Sequence, residues 1–255
     1  MPRLTWLIPL LAGLAAYAIA PFGDLVWDDQ LVAGQQMLAF RSLGDVFNPP
    51  EGVARWQYAY YRPVVVLSYV LDARLFGLGA AAGPHAMNVA WHLACVFFTW
   101  LRCQRLFAGL PRGGRAAVSS ATVSAVTPIH TESVSWITGR SDVLATAFLL
   151  PALLAALWWR DRGTVLALFL SPVLFLLALL AKEVAVAGLL VLPVLMAVGR
   201  APEVRRGAAW FSAGAMLFAW LGALWFYLSL RAGAGSGAGS WAAAAGELLW
   251  RPVQA

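Results

Sequence analysis

The chain has 255 residues, of which 61% are hydrophobic and only 12% are charged, and its formal net charge is +6. This apolar excess excludes an ordinary soluble domain. The positive charge lies in short loops between apolar segments, where arginines mark the cytoplasmic side of a membrane, so it does not predict nucleic-acid binding. The composition therefore predicts an integral membrane protein.

Seven apolar segments are predicted to cross the membrane as helices, because each approaches the length that spans a hydrocarbon core about 30 Å thick. They are residues 4–20, 85–107, 116–128, 143–159, 165–181, 184–198 and 209–230. The first lacks a clear small-residue cleavage site before Pro21 and is expected to be retained rather than removed as a signal peptide. The fold class is all-α, with about seven transmembrane helices and one transmembrane domain over residues 1–255.

Arginines flank these segments on alternate loops, which places the N-terminus in the cytoplasm. They are Arg3, Arg102, Arg105, Arg112, Arg115, Arg160, Arg162, Arg200, Arg205 and Arg206. Most of the acidic residues lie on the opposite loops. The acidic loops are therefore expected to face the extracytoplasmic side, and we expect a bacterial inner membrane as the location.

The segment 21–83 is the first extracytoplasmic loop, and a connection of this length usually has a function. Two helices are predicted in it, at 28–43 and 63–78, with Pro63 suited to a first helical turn. Asp72 and Arg74 interrupt the second. Because a charge at the bilayer centre costs at least about 2.5 kcal/mol, this helix is predicted to lie along the interface.

Asp28 and Asp29 follow the first apolar segment directly. Side chains of neighbouring residues point about 100° apart on a helix, so both carboxylates cannot address one atom. One of the two is expected to act as a general base, while the other orients it or is solvated. The alternative is structural, because Asp is also common as a helix N-cap and in a first helical turn.

Further polar residues gather at the predicted outer ends of the spans: Tyr61, Arg62, His130, Glu132, Arg140, Asp142, Lys182 and Glu183. Lys182 is the only lysine in the chain. Arg62, Arg140 and Lys182 are candidates for binding a phosphate. Structural alternatives remain open: arginines that snorkel to lipid headgroups, a Lys182–Glu183 pair that marks a hairpin, and a capping role for His130.

Two further patterns limit the chemistry. His85, Asn88 and His92 form one polar stripe on the second span, for which hydrogen bonding between helices is favoured over metal binding. Signatures of P-loop ATPases, zinc proteases and serine hydrolases are absent from the sequence. There is also no Asp-x-Asp motif of the kind that holds a nucleotide sugar through a divalent ion. We therefore expect no metal, no cofactor and no nucleotide-sugar donor.

A set of short motifs then resembles a known family. They are Trp27-Asp28-Asp29, Tyr61-Arg62-Pro63, Pro84-His85 with Asn88 and His92, Pro128-Ile129-His130-Thr131-Glu132 with Gly139-Arg140 and Asp142, and Lys182-Glu183. In this order and spacing the chain resembles the transmembrane and tetratricopeptide-repeat O-mannosyltransferases and their bacterial relatives, within the GT-C glycosyltransferases.

The resemblance implies an inverting transfer of a sugar such as mannose from a polyprenyl-phosphate carrier to a hydroxyl of a protein or glycan acceptor. By the same resemblance, Asp28 would be the base, with Asp29 as the alternative. Arg62 would hold the leaving phosphate, with Arg140 and Lys182 as further candidates. Tyr61, His130, Glu132 and Glu183 would contact substrate, and membrane lipids would surround the protein.

Two departures from the family pattern stand out. Thr127 precedes Pro128 where the family more often has histidine, and the later spans and tetratricopeptide repeats are not present. We therefore expect this chain to be the N-terminal part of a longer protein, with a flexible outer loop and a truncated end at 231–255. A transporter or lipid-handling protein, and a non-catalytic remnant, remain alternatives.

Overall fold

A computed structural model of the chain describes residues 4–48, 50, 60–197 and 206–235. Within these ranges the regular elements are helices and turns without a strand, so the predicted all-α class is confirmed there. The α-helices are α1 (Leu7–Ala16), α2 (Asp29–Val32), α3 (Leu43–Phe47), α4 (Pro63–Phe76), α5 (Ala82–Leu106), α6 (Gly113–Val126), α7 (Thr131–Ser135), α8 (Arg140–Arg162), α9 (Val165–Ala181), α10 (Gly188–Ala197) and α11 (Arg206–Gly235).

Two helical segments of the described chain are long and apolar enough to cross a membrane, Arg140–Arg162 and Phe211–Gly233. Shorter apolar helical segments occur at Leu7–Phe22, Val165–Ala181 and Glu183–Ala197. Length and hydropathy thus support two of the predicted spans, and the number seven stays a prediction.

The centre of the molecule is the antiparallel pair α8 and α9, joined at Gly163, which has a left-handed φ of +63°. Small residues let the two helices approach closely, and Ala152, Ala156 and Ala178 are completely buried. Helix α11 packs on this pair through Trp220. Its ring stacks on Phe175 with 4.0 Å between the centroids. The last helix is therefore part of the core.

Helix α4 confirms the prediction for 63–78 to within two residues. It begins at Pro63, whose missing amide hydrogen costs nothing in a first turn, and it ends before Gly77 at a φ of +88°. Its buried side chains, Val66 and Tyr69 among them, pack with Ile137 and Leu144 around the start of α8. This packing brings α4 onto the main bundle.

The single helix predicted for 28–43 is wrong. Helix α2 ends at Val32, and a 3₁₀ turn at Gln35–Ala39 follows the extended residue Gly34. A Cβ atom at position 34 would lie 2.7 Å from the Gln30 carbonyl oxygen, so the break needs glycine there. A new helix, α3, then begins at Leu43, and its N-cap residue Ser42 forms a capping box with Asp45.

The chain end also differs from the prediction. Helix α11 continues to Gly235, so the first residues of the loop predicted at 231–255 are helical. The remainder of that predicted loop lies outside the described residues.

Candidate active site

The predicted site residues lie at one end of the bundle, where α8 begins and α9 ends. Three contacts between distant parts of the chain establish this arrangement: Asp29 bonds Thr138, Arg62 bonds Glu183, and Lys182 bonds Asp142. The antiparallel helices thus bring together residues that were predicted to lie on the same side of the membrane because they occur on alternate loops.

Asp29 is completely buried and acts as a hydrogen-bond acceptor. Its Oδ1 accepts from the Thr138 amide at 3.0 Å and from the Thr138 hydroxyl at 3.2 Å. Its Oδ2 accepts from the Val26 amide at 3.2 Å. These bonds fasten the segment before α2 to the turn before α8. The carboxylate of Asp29 is therefore already engaged within the protein.

Asp28 differs sharply from its neighbour. Its side chain is exposed and makes no capping hydrogen bond to α2, which the N-cap alternative required. It has no side-chain partner among the described residues. Trp27 just before it adopts a left-handed φ of +48°, which is unusual for a bulky residue, and its ring packs edge-on against Trp136 at 5.7 Å. Such backbone strain concentrates at functional sites.

Arg140 is completely buried at the start of α8, where it binds groups from two other helices. Its Nη1 lies 2.5 Å from Asp72 Oδ2, and its Nε donates to Asn88 Oδ1 at 2.5 Å. Its Nη2 donates to the Pro84 carbonyl at 2.8 Å. The guanidinium also lies over the Tyr69 ring, 5.1 Å from its centroid.

These contacts define what we call the buried network: Asp29, Tyr69, Asp72, Asn88, Thr138 and Arg140. Tyr69 links its two halves, because its hydroxyl donates to the Thr138 carbonyl at 3.3 Å. Arg140 is fully occupied within this network, and direct binding of a phosphate would break several of its bonds. Its predicted phosphate contact stays a prediction that this geometry does not favour.

Asp72 is a member of the network that sequence reasoning did not assign to the site. Burial raises the pKa of its carboxyl above the usual value, and Arg140 offsets part of that rise. The sequence signal for Asp72 is an acid within an otherwise apolar helix, the same feature from which α4 is predicted to lie along the interface. An acid in that position also predicts a buried cation as its partner.

Two half-exposed ion pairs, which we call the rim pairs, lie beside the buried network. Arg62 forms a two-bond contact with Glu183, through Nη2–Oε1 at 2.7 Å and Nε–Oε2 at 3.1 Å. Lys182 Nζ donates to Asp142 Oδ1 at 2.6 Å. The Glu183 and Asp142 side chains are 40% and 45% exposed. Lys182 and Glu183 therefore pair with residues on other elements and not with each other.

The contact with Arg62 favours the charged form of the Glu183 carboxylate. Burial raises the pKa of Glu183, but the hydrogen bonds and the charge of Arg62 outweigh burial and hold the pKa below its usual value. Arg62 also lies over the Tyr60 ring, 4.6 Å from the centroid. The rim pairs thus present partly solvated cations at the surface of the site.

His130 and Glu132 lie in the turn and short helix between α6 and α8. The His130 ring is 5.4 Å from His92, and Glu132 is exposed. Gly139 closes this corner, since a Cβ there would lie 2.6 Å from the Glu132 carbonyl oxygen. The corner therefore needs glycine immediately before Arg140.

Two of the three residues of the stripe on α5, Asn88 and His92, make hydrogen bonds of the structural kind. His92 Nε2 lies 3.0 Å from the Ala125 carbonyl, and Asn88 donates to the Trp136 carbonyl at 2.8 Å. The described residues contain no group of three His, Cys, Asp or Glu side chains placed to hold a metal ion. The expected independence from metal is untested and stays a prediction.

The fold and the site define a helical protein with a charged, partly buried polar centre at one end of its bundle. The chain is 36% identical over 122 residues to human protein O-mannosyl-transferase TMTC1, covering 47% of this chain and 13% of that protein. It is 28% identical over 152 residues to human protein O-mannosyl-transferase TMTC4, covering 54% of this chain and 20% of that protein.

A similar match extends further along the chain. Drosophila melanogaster protein O-mannosyl-transferase Tmtc1 is 30% identical over 195 residues, covering 71% of this chain and 22% of that protein. The chain thus spans about a fifth or less of the length of these relatives. No protein-family model matches the chain, and no solved structure matches it significantly. The resemblance to the O-mannosyl-transferases that the motifs predict is confirmed.

Proposed function

We propose that the protein is a membrane glycosyltransferase that moves a sugar such as mannose from a polyprenyl phosphate to an acceptor hydroxyl. The observation that carries this proposal is the contrast between Asp28 and Asp29 at the end of the bundle that also holds the partly solvated cations Arg62 and Lys182. Asp29 is fixed by three hydrogen bonds, while Asp28 is exposed and has no partner among the described residues. The similarity to enzymes named O-mannosyl-transferases supports the type of reaction.

In the proposed reaction Asp28 accepts the proton of the acceptor hydroxyl. The acceptor oxygen forms a bond to the anomeric carbon from the face opposite the phosphate, and the bond between that carbon and the phosphate oxygen breaks. The bonding electrons leave with the phosphate, and the configuration inverts. Arg62 and Lys182 would stabilise the charge that develops on the departing phosphate.

The remaining residues have supporting roles in this proposal. Asp29 positions Asp28 through its bonds to Thr138, and Arg140 positions the same corner from within the buried network. His130 and Glu132 shape the sugar or acceptor side, while Tyr61 and Glu183 hold the surroundings of Arg62. No nucleotide-sugar donor and no metal ion take part.

The proposed setting is an extracytoplasmic site in a bacterial inner membrane, with about seven spans and a cytoplasmic N-terminus. Cysteine-accessibility labelling of intact cells tests this topology through Asp24→Cys and Arg112→Cys in a background without Cys95 and Cys103. Reagents that cannot cross the membrane should label the first position and not the second. Labelling at position 112 and not at position 24 would show that the orientation is opposite to the proposed one.

The proposed chemistry is tested by incubating membranes that contain the protein with a labelled polyprenyl-phosphate mannose and a hydroxyl acceptor. Asp28→Asn should lower transfer about 10²- to 10⁴-fold, the range expected for loss of a general base. Asp24→Asn serves as a matched control, because it removes an exposed carboxylate four residues before Asp28 to which no role in the reaction is assigned, and it should retain transfer. Transfer by Asp28→Asn at the wild-type rate would remove the proposed base.

A further inference from the structure

Trp27 is the one residue of the Trp27-Asp28-Asp29 motif to which the proposed function gives no role. It is 82% exposed, although tryptophan is among the largest apolar side chains. Its backbone has a left-handed φ of +48°, a conformation that is unfavourable for a bulky residue. The chain therefore accepts backbone strain at a position that leaves an indole ring open to solvent.

Trp27 is held by the same turn that holds Asp29. Its ring packs edge-on against Trp136 with 5.7 Å between the centroids, and the Asp29 carboxylate binds the amide two residues further along that turn. The turn is itself fixed to α5, because the Asn88 side chain donates to the Trp136 carbonyl at 2.8 Å. Residues 27 and 29 are thus anchored on both sides of Asp28, which fixes the indole ring relative to the backbone of Asp28.

The surroundings of the ring favour an aqueous ligand over lipid chains. Asp28 carries an exposed carboxylate that has no partner among the described residues. A carboxylate in contact with lipid chains is costly, so Asp28 requires water around it. Because neighbouring Cα atoms are only about 3.8 Å apart, the indole of Trp27 shares these surroundings. An apolar ring in water is stabilised when a ligand covers it.

A pyranose ring suits such a surface. Its faces carry patches of C–H groups between the hydroxyl groups, and these weakly positive C–H groups favour the negative face of an aromatic ring. In the proposed reaction the acceptor hydroxyl lies at Asp28, and its oxygen attacks the anomeric carbon of the donor sugar. The donor sugar must therefore lie beside Asp28, next to Trp27.

We propose that Trp27 is a sugar-binding residue and that the pyranose ring of a polyprenyl-phosphate hexose lies on its indole ring. This inference deepens the proposed function and rests on it. It gives the three residues of the motif separate tasks: Trp27 binds the sugar, Asp28 accepts the proton, and Asp29 fastens the motif to the turn before α8.

The experiment measures the binding of farnesyl phosphate mannose and of farnesyl phosphate to the protein in phosphatidylcholine nanodiscs. The wild type should bind the mannosylated compound more tightly. Trp27→Ala should weaken that binding about three- to tenfold, the range expected for a lost aromatic contact, and should bind farnesyl phosphate as the wild type does. Trp27→Phe keeps a smaller aromatic ring and should lose less.

Phe22→Ala is the matched control. It removes an aromatic side chain that is 87% exposed at the end of the first apolar segment, and it should bind both compounds as the wild type does. In the transfer assay, Trp27→Ala should raise the Michaelis constant for the donor and leave that for the acceptor unchanged.

The two compounds distinguish the inference from its alternatives. Trp27→Ala that binds farnesyl phosphate mannose as tightly as the wild type would exclude the sugar contact and leave the proposed function standing. An equal loss for both compounds would assign the indole to the lipid interface or to folding, and a higher Michaelis constant for the acceptor alone would assign it to the acceptor. A wild type that binds both compounds equally would also exclude the sugar contact. A wild type that binds neither compound would overturn both the inference and the proposed donor.

Discussion

The buried network and the rim pairs use the same chemistry, a cation beside a carboxylate, in two different environments. Asp72 and Arg140 are almost completely excluded from solvent, while Glu183 and Asp142 keep roughly two-fifths of their side chains exposed. A buried pair holds a fixed geometry, because separating it leaves an uncompensated charge in an apolar medium. A half-exposed pair exchanges partners more easily. In the proposed function, the buried network positions the site and the rim pairs contact the substrate.

The largest effect is expected from Asp72→Asn, which leaves Arg140 buried without its counterion. We expect the free energy of unfolding to fall by about 3–5 kcal/mol, measured by denaturant titration in detergent. The double variant Asp72→Asn/Arg140→Met should lose less than the sum of its single variants, because it removes both charges. A loss below about 1 kcal/mol for Asp72→Asn would mean that the buried pair contributes no more to stability than a half-exposed pair does.

A smaller effect is expected from Asp29→Ala, which leaves the Thr138 and Val26 donors without their acceptor. The free energy of unfolding should fall by about 1–3 kcal/mol. The neighbouring variant Asp28→Ala provides the control, and it should stay within about 0.5 kcal/mol of the wild type, because its side chain is exposed. Equal destabilisation by the two variants would contradict the structural role of Asp29 and the absence of such a role for Asp28.

Lys182→Gln tests the rim, because it removes the cation of the Lys182–Asp142 pair. Stability should change by no more than about 1 kcal/mol, as is usual for a partly solvated ion pair. The Michaelis constant for the lipid-linked donor should rise by a larger factor than that for the acceptor. A loss of stability by this variant as large as that of Asp72→Asn would mean that the rim pairs contribute as much to stability as the buried network does.

The smallest effect concerns pH and the Arg62–Glu183 pair. The pKa of Glu183 in the folded protein lies below its ordinary value of 4.5. Its contribution to stability is therefore present above that ordinary value and is lost as the pH falls through the folded pKa. Because the side chain is 40% exposed, we expect less than about 1 kcal/mol. Thermal unfolding from about pH 6 to pH 3 should show a difference between wild type and Glu183→Gln that shrinks as the pH falls.

The sequence predicted the gathering of charges at one end, because helices that alternate in direction place every second loop together. It predicted helix α4 for local reasons, a proline at its first position and a glycine after its last. It did not predict the break at Gly34, since the apolar residues that follow also fit a helical pattern. These residues form a 3₁₀ turn and not a continued α-helix, and Met37 and Phe40 are buried against α4.

Partner choice was beyond sequence reasoning. Nothing in the spacing of residues indicates that Arg140 binds Asp72, because the two lie on helices whose contact is set by packing. The contrast between Asp28 and Asp29 has the same origin, since it depends on the Thr138 donors more than one hundred residues away.

The long separation of these contacts along the chain has a consequence for biosynthesis. The Asp29–Thr138 bond joins residues 109 apart, and the Arg62–Glu183 bond joins residues 121 apart. During translation the acidic motif and its arginine leave the ribosome well before their partners. We therefore expect the candidate active site to form only after α9 and Glu183 have been synthesised, so that the growing chain holds α1–α9 before it can hold the geometry of the site.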